Sequence, residues 1–252
     1  MRHLYRIIFF TLILNFTFKI GYNQEKPHLV EIKYLMQNYK YKEAILLAEK
    51  AQESDSLNSE IYLLKGIALK ESFLYTEAIK SLQKGLLIDH TNILLLAEIA
   101  NLYKITSNYQ NAFEAYTKML NLQPENTTFK IQLANILLAS DAAESAKKIF
   151  LELLRNEPDN SYLLSQTGLC YSETNMPDSA IYFYTKALEV NPGNIVLLTR
   201  LANLYIKTKK FEEGLNLTEN FRQIDSTQKE VNKWCGYFYY LNKQYEPAIA
   251  RF

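Results

Sequence analysis

The sequence predicts an all-α chain of stacked helical hairpins, and three observations carry that prediction. Apolar residues make up 48% of the 252 positions, while there are only 7 Gly and 6 Pro, so core material is plentiful and the punctuation of short strands and tight hairpins is scarce. The 19 Tyr are too many for solvent decoration and suit wedges between packed helices. The third observation is a period of 34 residues that runs from Glu25 to Phe252 without an insertion, and a period of that length means helix pairs that bury their apolar faces on their neighbours.

The first 23 residues stand outside the repeat. Arg2 and Arg6 precede an apolar run over 7–18, and Lys19 interrupts it. This pattern is that of a secretory signal peptide: the run is short of the roughly 20 apolar residues of a membrane-spanning helix. An uncleaved N-terminal anchor is the alternative, and membrane association is expected only through this segment. Export to the periplasm or cell envelope is the expected location. Arg2, Arg6 and Lys19 lie in the segment and every acidic residue lies beyond it, leaving 25 basic against 27 acidic side chains in the remainder. With no basic excess, nucleic acid is not an expected partner. Cys170 and Cys235 have no CxxC motif or Cys/His cluster around them and are expected as buried, unpaired thiols, with a disulfide between them as the alternative.

Beyond the signal the frames are 25–58, 59–92, 93–126, 127–160, 161–194 and 195–228, with a partial seventh over 229–252. Ile32, Gly66, Ala100, Ala134, Gly168, Ala202 and Gly236 form one column of mostly small residues on the first helices. Ala44, Ala78, Ala112, Ala146, Ala180, Gly214 and Ala248 form another on the second helices. Helices approach closely only over stubs, so these columns mark the crossings. Large residues fill complementary columns: Leu35, Leu69, Tyr103, Leu137, Tyr171, Tyr205 and Tyr239 on first helices, and Leu82, Tyr116, Phe150, Tyr184 and Phe252 on second helices. Tyr41, Tyr75, Tyr109, Phe211 and Tyr245 fall where second helices begin, and Pro124, Pro158 and Pro192 where they have ended.

The pattern of small residue, Tyr, Ala, aromatic and Pro, best matched by Ala100, Tyr103, Ala112, Tyr116 and Pro124 and again by Gly168, Tyr171, Ala180, Tyr184, Ala187 and Pro192, resembles the tetratricopeptide repeat family. The resemblance covers 25–252 and implies a right-handed α-α superhelix of about seven helix-turn-helix repeats. Its departures lie in the first unit, at Glu31 and Ile32, and in the sixth, at Gly214 and Thr218, so those hairpins are expected to be looser or differently packed. The seventh unit stops part-way along its second helix without a polar cap; continuation of the natural chain is the expectation, with a partner covering the end as the alternative.

Chemistry is sparse. His3, His28 and His90 are the only histidines, none in a metal-ligand pattern, and no GxxxxGK[ST], GxGxxG or GxSxG run occurs. No catalytic residue, cofactor or metal is expected. The column beside the small residues of the first helices holds Asn101, Asn135 and Asn203, whose amides can pair with the backbone of any extended peptide. The family resemblance implies that role. Tyr162, Leu169, Tyr237 and Tyr240 stand near them and would favour an apolar or aromatic segment, with core packing of the same rings as the rival account. The sequence thus predicts a non-enzymatic adaptor that binds a protein or peptide partner on the concave face. The alternatives are a sensory arm of a longer membrane-bound regulator and, in a different class, an enzyme whose catalytic domain lies downstream.

Overall fold

The computed structural model describes residues 26–251, so the expected signal peptide over 1–23 and Phe252 lie outside the described residues. The described residues form fourteen helices and contain no strand. The helices are α1 (Pro27–Gln37), α2 (Tyr41–Ser54), α3 (Ser59–Glu71), α4 (Tyr75–Ile88), α5 (Ile93–Ile105), α6 (Tyr109–Leu122), α7 (Thr127–Ala139), α8 (Ala143–Asn156), α9 (Ser161–Glu173), α10 (Pro177–Val190), α11 (Ile195–Lys207), α12 (Phe211–Ile224), α13 (Lys229–Leu241) and α14 (Tyr245–Ile249). Odd-numbered helices are the first of each hairpin and even-numbered helices the second, in the register that the repeat predicts. Two compact units divide within α5, one ending at Leu102 and the other beginning at Tyr103.

Two further columns of period 34 hold the hairpins together. Each first helix ends in a residue at positive φ: Tyr39, Phe73, Ser107, Asp141, Asn175, Lys209 and Lys243, all between 56° and 62°. The residue after each donates its N–H five residues back, as from Lys40 to Leu35 (2.9 Å) and from Met176 to Tyr171 (2.8 Å). This is the Schellman closure, usually made with Gly, and here made seven times without one. The other column, Asn58, Asn92, Asn126, Asn160 and Asn194, caps the first helices. Asn194 Oδ1, for instance, accepts from the N–H groups of Val196 (3.0 Å) and Leu197 (3.2 Å). At the start of α13 the equivalent residue is Gln228, whose side chain makes no capping bond. Gln228→Asn should therefore stabilise the last hairpin by roughly 0.5–1 kcal/mol, seen as slower hydrogen exchange of the α13 amides.

In the first unit, Leu29, Ile32, Ala44, Ala48, Ala51, Ile61, Leu64 and Ala68 form one buried cluster. A Cβ on Gly66 would stand 2.6 Å from the side chain of Leu82, so the small column of the first helix and the large column of the second do meet across the hairpin. In the second unit the buried core runs from Ala134 to Val231, with Phe150 and Tyr184 among its largest fully buried side chains. There Gly168 faces the Tyr184 ring at 2.7 Å in the same way.

The first and sixth hairpins are differently packed rather than loose. Ile32 is fully buried, and the position opposite it in the register of Gly66 and Leu82 is Ala48, also fully buried: the large and small residues have exchanged helices. In the sixth hairpin the large column holds Thr218, fully buried, whose hydroxyl donates to the carbonyls of Gly214 (3.1 Å) and Leu215 (2.9 Å) on its own helix. Gly214 itself accommodates Phe238 of α13.

Candidate partner-binding face

The first helices of the second unit bring some of the expected residues together and separate others. Asn135, half-buried on α7, uses its carbonyl within the fold. Tyr162 Oη (3.0 Å) and Gln166 Nε2 (3.0 Å), both on α9, donate to its Oδ1 and tie the two helices. Tyr162 is nonetheless 46% exposed, so its ring is surface and not core. Replacing Asn135 by Ala would break that tie as well as any contact with a partner, so it is a poor probe of binding. Asn203, exposed on α11, donates from Nδ2 among the described residues only to the Thr199 carbonyl of its own helix (2.9 Å), which leaves its Oδ1 and a second amide hydrogen for another group.

Asn203 borders two hollows. One, of about 230 Å³, is lined by Leu169, Ser172, Tyr184, Arg200, Asn203, Leu204 and Lys207. The other, of about 420 Å³, is lined by Asn203, Ile206, Lys233, Trp234 and Tyr237. Leu169 and Tyr237 therefore each border a hollow that Asn203 also borders. Tyr240 does not line either hollow; its ring lies against Tyr245 at 5.9 Å, beside the α13–α14 turn. Asn101 belongs to the first unit, half-buried on α5.

Arg200, Ile206, Lys207 and Trp234 were not among the expected site residues. They lie outside the column that holds the asparagines, and only the packed helices show which further positions border the two hollows. Arg200 donates from Nη1 to Ser165 Oγ (3.1 Å) and lies over the Tyr184 ring, and Lys207 donates to Asn175 Oδ1 (3.0 Å). Trp234 packs edge-on to Tyr237, and its Nε1 is buried without a hydrogen-bond partner among the described residues.

Reactive groups elsewhere are turned inward. Cys170 and Cys235 are both buried and free. Burial pushes the Cys170 thiol up to about 12 and, with the neighbouring Glu219 carboxylate, that of Cys235 up to about 11, so neither supplies a thiolate at neutral pH. His28 is half-buried, with Nε2 3.7 Å from Asp55 Oδ2. Among the described residues no group of three or more His, Cys, Asp or Glu could hold a metal ion, and no helix is long and apolar enough to cross a membrane.

Glu219 organises the end of the second unit. Its Oε1 accepts from Tyr239 Oη (2.8 Å) and Cys235 Sγ (3.0 Å), and its Oε2 from Arg222 (2.8 Å). Burial alone would raise its pKa, but these hydrogen bonds and the Arg222 charge hold the carboxyl below its usual 4.5. Because the folded value is the lower one, the stabilisation is complete above about pH 4.5 and is lost as pH falls through the folded value. The urea midpoint read by the fluorescence of Trp234, the only tryptophan, should fall on acidification, and Glu219→Gln should remove that part of the fall.

Comparison with known proteins agrees with this geometry. The sequence profile of the N-terminal TPR repeat region of Psidin matches residues 99–223. Over those residues the chain carries the tetratricopeptide repeat. No curated protein sequence matches the repeat protein. Among solved structures, the C-terminal part of a TPR repeat-containing protein from Cytophaga hutchinsonii superposes with a TM-score of 0.73 at 15% identity, over 88% of this chain and 92% of that one. A tetratricopeptide repeat protein from Parabacteroides merdae gives 0.66 at 15% identity over 89% of both. YrrB, described as a TPR protein with an unusual peptide-binding site, gives 0.58 at 18% identity over 73% of this chain and 95% of its own. These likenesses show the fold, a tetratricopeptide solenoid. Proteins of this repeat are in general non-catalytic scaffolds that bind protein or peptide partners.

Proposed function

We propose that this repeat protein is an exported, non-enzymatic adaptor of the cell envelope, and that it holds an extended segment of a partner protein on the first-helix face of its second unit. The observation that carries the reading is Asn203: an exposed amide with unused hydrogen-bonding capacity, set between two hollows whose walls are apolar, aromatic and polar by turns. An amide of this kind pairs with a backbone N–H or C=O whatever the sequence, while the hollows select side chains. The apolar run over 7–18 behind Arg2 and Arg6 supports export.

The test is a photo-crosslinking amino acid at Asn203, compared with the same group at the exposed Glu212 of α12, in cells that make the protein naturally. Adducts to a defined protein from position 203, absent from position 212 and recovered in the envelope fraction, are expected. Equal labelling from both positions, or none, removes the assigned face; a chain found only in the cytoplasm removes the export.

A further inference from the structure

Most cations of the second unit that make ion pairs make them close. Lys130 pairs with Glu152 (2.9 Å), Lys147 with Glu144 (2.7 Å), Lys186 with Glu189 (2.6 Å), Lys210 with Asp178 (2.6 Å) and Arg222 with Glu219 (2.8 Å). The three cations around Asn203 are different. Arg200 is bonded to the neutral Ser165 side chain and lies over the Tyr184 ring, Lys207 is bonded to the neutral Asn175 side chain, and Lys233 lies 3.9 Å from Glu230, beyond hydrogen-bond reach. None of the residues lining the two hollows is acidic. Three positive groups, none within hydrogen-bond reach of a carboxylate among the described residues, thus border two hollows that share Asn203, and beside them the Ile206, Trp234 and Tyr237 side chains wall the one of about 420 Å³. That volume admits one large apolar side chain.

We infer that the occupant of this face is an internal acidic segment of a partner protein: an aromatic or large aliphatic side chain enters the hollow of Ile206, Trp234 and Tyr237, and flanking carboxylates meet Arg200, Lys207 and Lys233. The inference rests on the face assigned above and adds the chemistry of its ligand. The apolar anchor supplies most of the affinity, because it is fully desolvated against two aromatic rings. The carboxylates supply selection: an acidic flank completes the three cations, and a basic flank meets three like charges. Lys207 and Lys233 are exposed, so their contribution weakens with salt over the Debye length, whereas the anchor's does not.

Trp234 is the only tryptophan and lines the hollow, so the intact chain reports its own binding. The probe is the capped pentapeptide Glu-Asp-Phe-Asp-Glu, titrated against tryptophan emission, with Glu-Asp-Ala-Asp-Glu and Lys-Lys-Phe-Lys-Lys as companions. A saturable change with the first peptide is expected, weakened by about tenfold or more in each companion. Lys207→Gln with Lys233→Gln should weaken the first peptide by about tenfold and leave the unfolding transition in place, since both side chains are at the surface. No saturable change with the acidic phenylalanine peptide, equal binding of the basic one, or unaltered affinity in the double variant overturns the inference. Crosslinking at Asn203 separates this failure from failure of the face itself. Adducts that persist undiminished in the double variant and at about 0.5 M salt keep the face and discard the acidic ligand; loss of all adducts at position 203 discards the face.

Discussion

Gly214→Ala should destabilise the second unit by about 2–3 kcal/mol, against a helix-propensity gain of about 1 kcal/mol that would be expected at the same exchange on an open helix. The sign is decided by Phe238. Gly214 lies inside α12, and a Cβ built on it would stand 2.1 Å from the Phe238 ring, with two more ring carbons within 2.7 Å. Phe238 is fully buried, so the ring has no free space in which to retreat, and the helices must part instead. In the preceding interface of the same unit the equivalent residues are Ala180 and Leu204, both buried. Phe238→Leu placed on top of Gly214→Ala rebuilds that pair and should recover most of the loss, although Phe238→Leu alone leaves a cavity and costs about 1–2 kcal/mol. Urea unfolding followed through Trp234, whose ring lies 6.5 Å from that of Phe238, measures all four corners of the cycle. A stabilised Gly214→Ala chain, or losses in the two variants that simply add, would show that the ring does not depend on the missing Cβ.

The periodic columns of Ala, Gly and large residues were legible because they repeat, and their frames begin within two residues of the first helix of each hairpin. What the columns do not disclose is which residue faces which. Read down its own column, Gly214 is a departure from Ala and suggests a looser hairpin; read across to Phe238, it is the other half of one contact. The turn geometry was hidden for a related reason. Seven residues at positive φ are hard to see when Tyr39, Phe73 and Lys209 occupy the position usually given to Gly, since the conformation is imposed by the helices on either side rather than by local preference. The site was half legible. The asparagine column singled out Asn203, the exposed amide between the hollows, but it singled out Asn135 equally, and Asn135 is engaged by Tyr162 and Gln166 of the next repeat. Arg200, Lys207 and Trp234 emerge only once α9, α11 and α13 are packed side by side, because a binding surface is defined by what neighbouring helices leave open.

Ile32→Ala should cost the first unit about 2–4 kcal/mol, the second large effect, and it tests the same across-hairpin rule in the opposite sense. In the second hairpin the first helix contributes Gly66 and the second Leu82, in contact. In the first hairpin the corresponding residues are Ile32 and Ala48, both fully buried in one cluster with Leu29, Ala44 and Ile61. Were Ile32 a mere departure from the repeat, trimming it to Ala would restore the pattern and relieve crowding. If it supplies the volume that Ala48 lacks, trimming it opens a cavity against a residue too small to fill it. Ala48→Leu alone should also be destabilising, by about 1–3 kcal/mol, because two large side chains would then share the space of one. The two changes together recreate the Gly66–Leu82 arrangement to within a methyl group and should lose less than either alone. Hydrogen exchange of the α1 and α2 amides reads the effect where it arises, since opening of a terminal hairpin need not unfold the rest of a repeat protein. A double variant at least as unstable as the sum of the single ones would place the Ile32 side chain against some other neighbour.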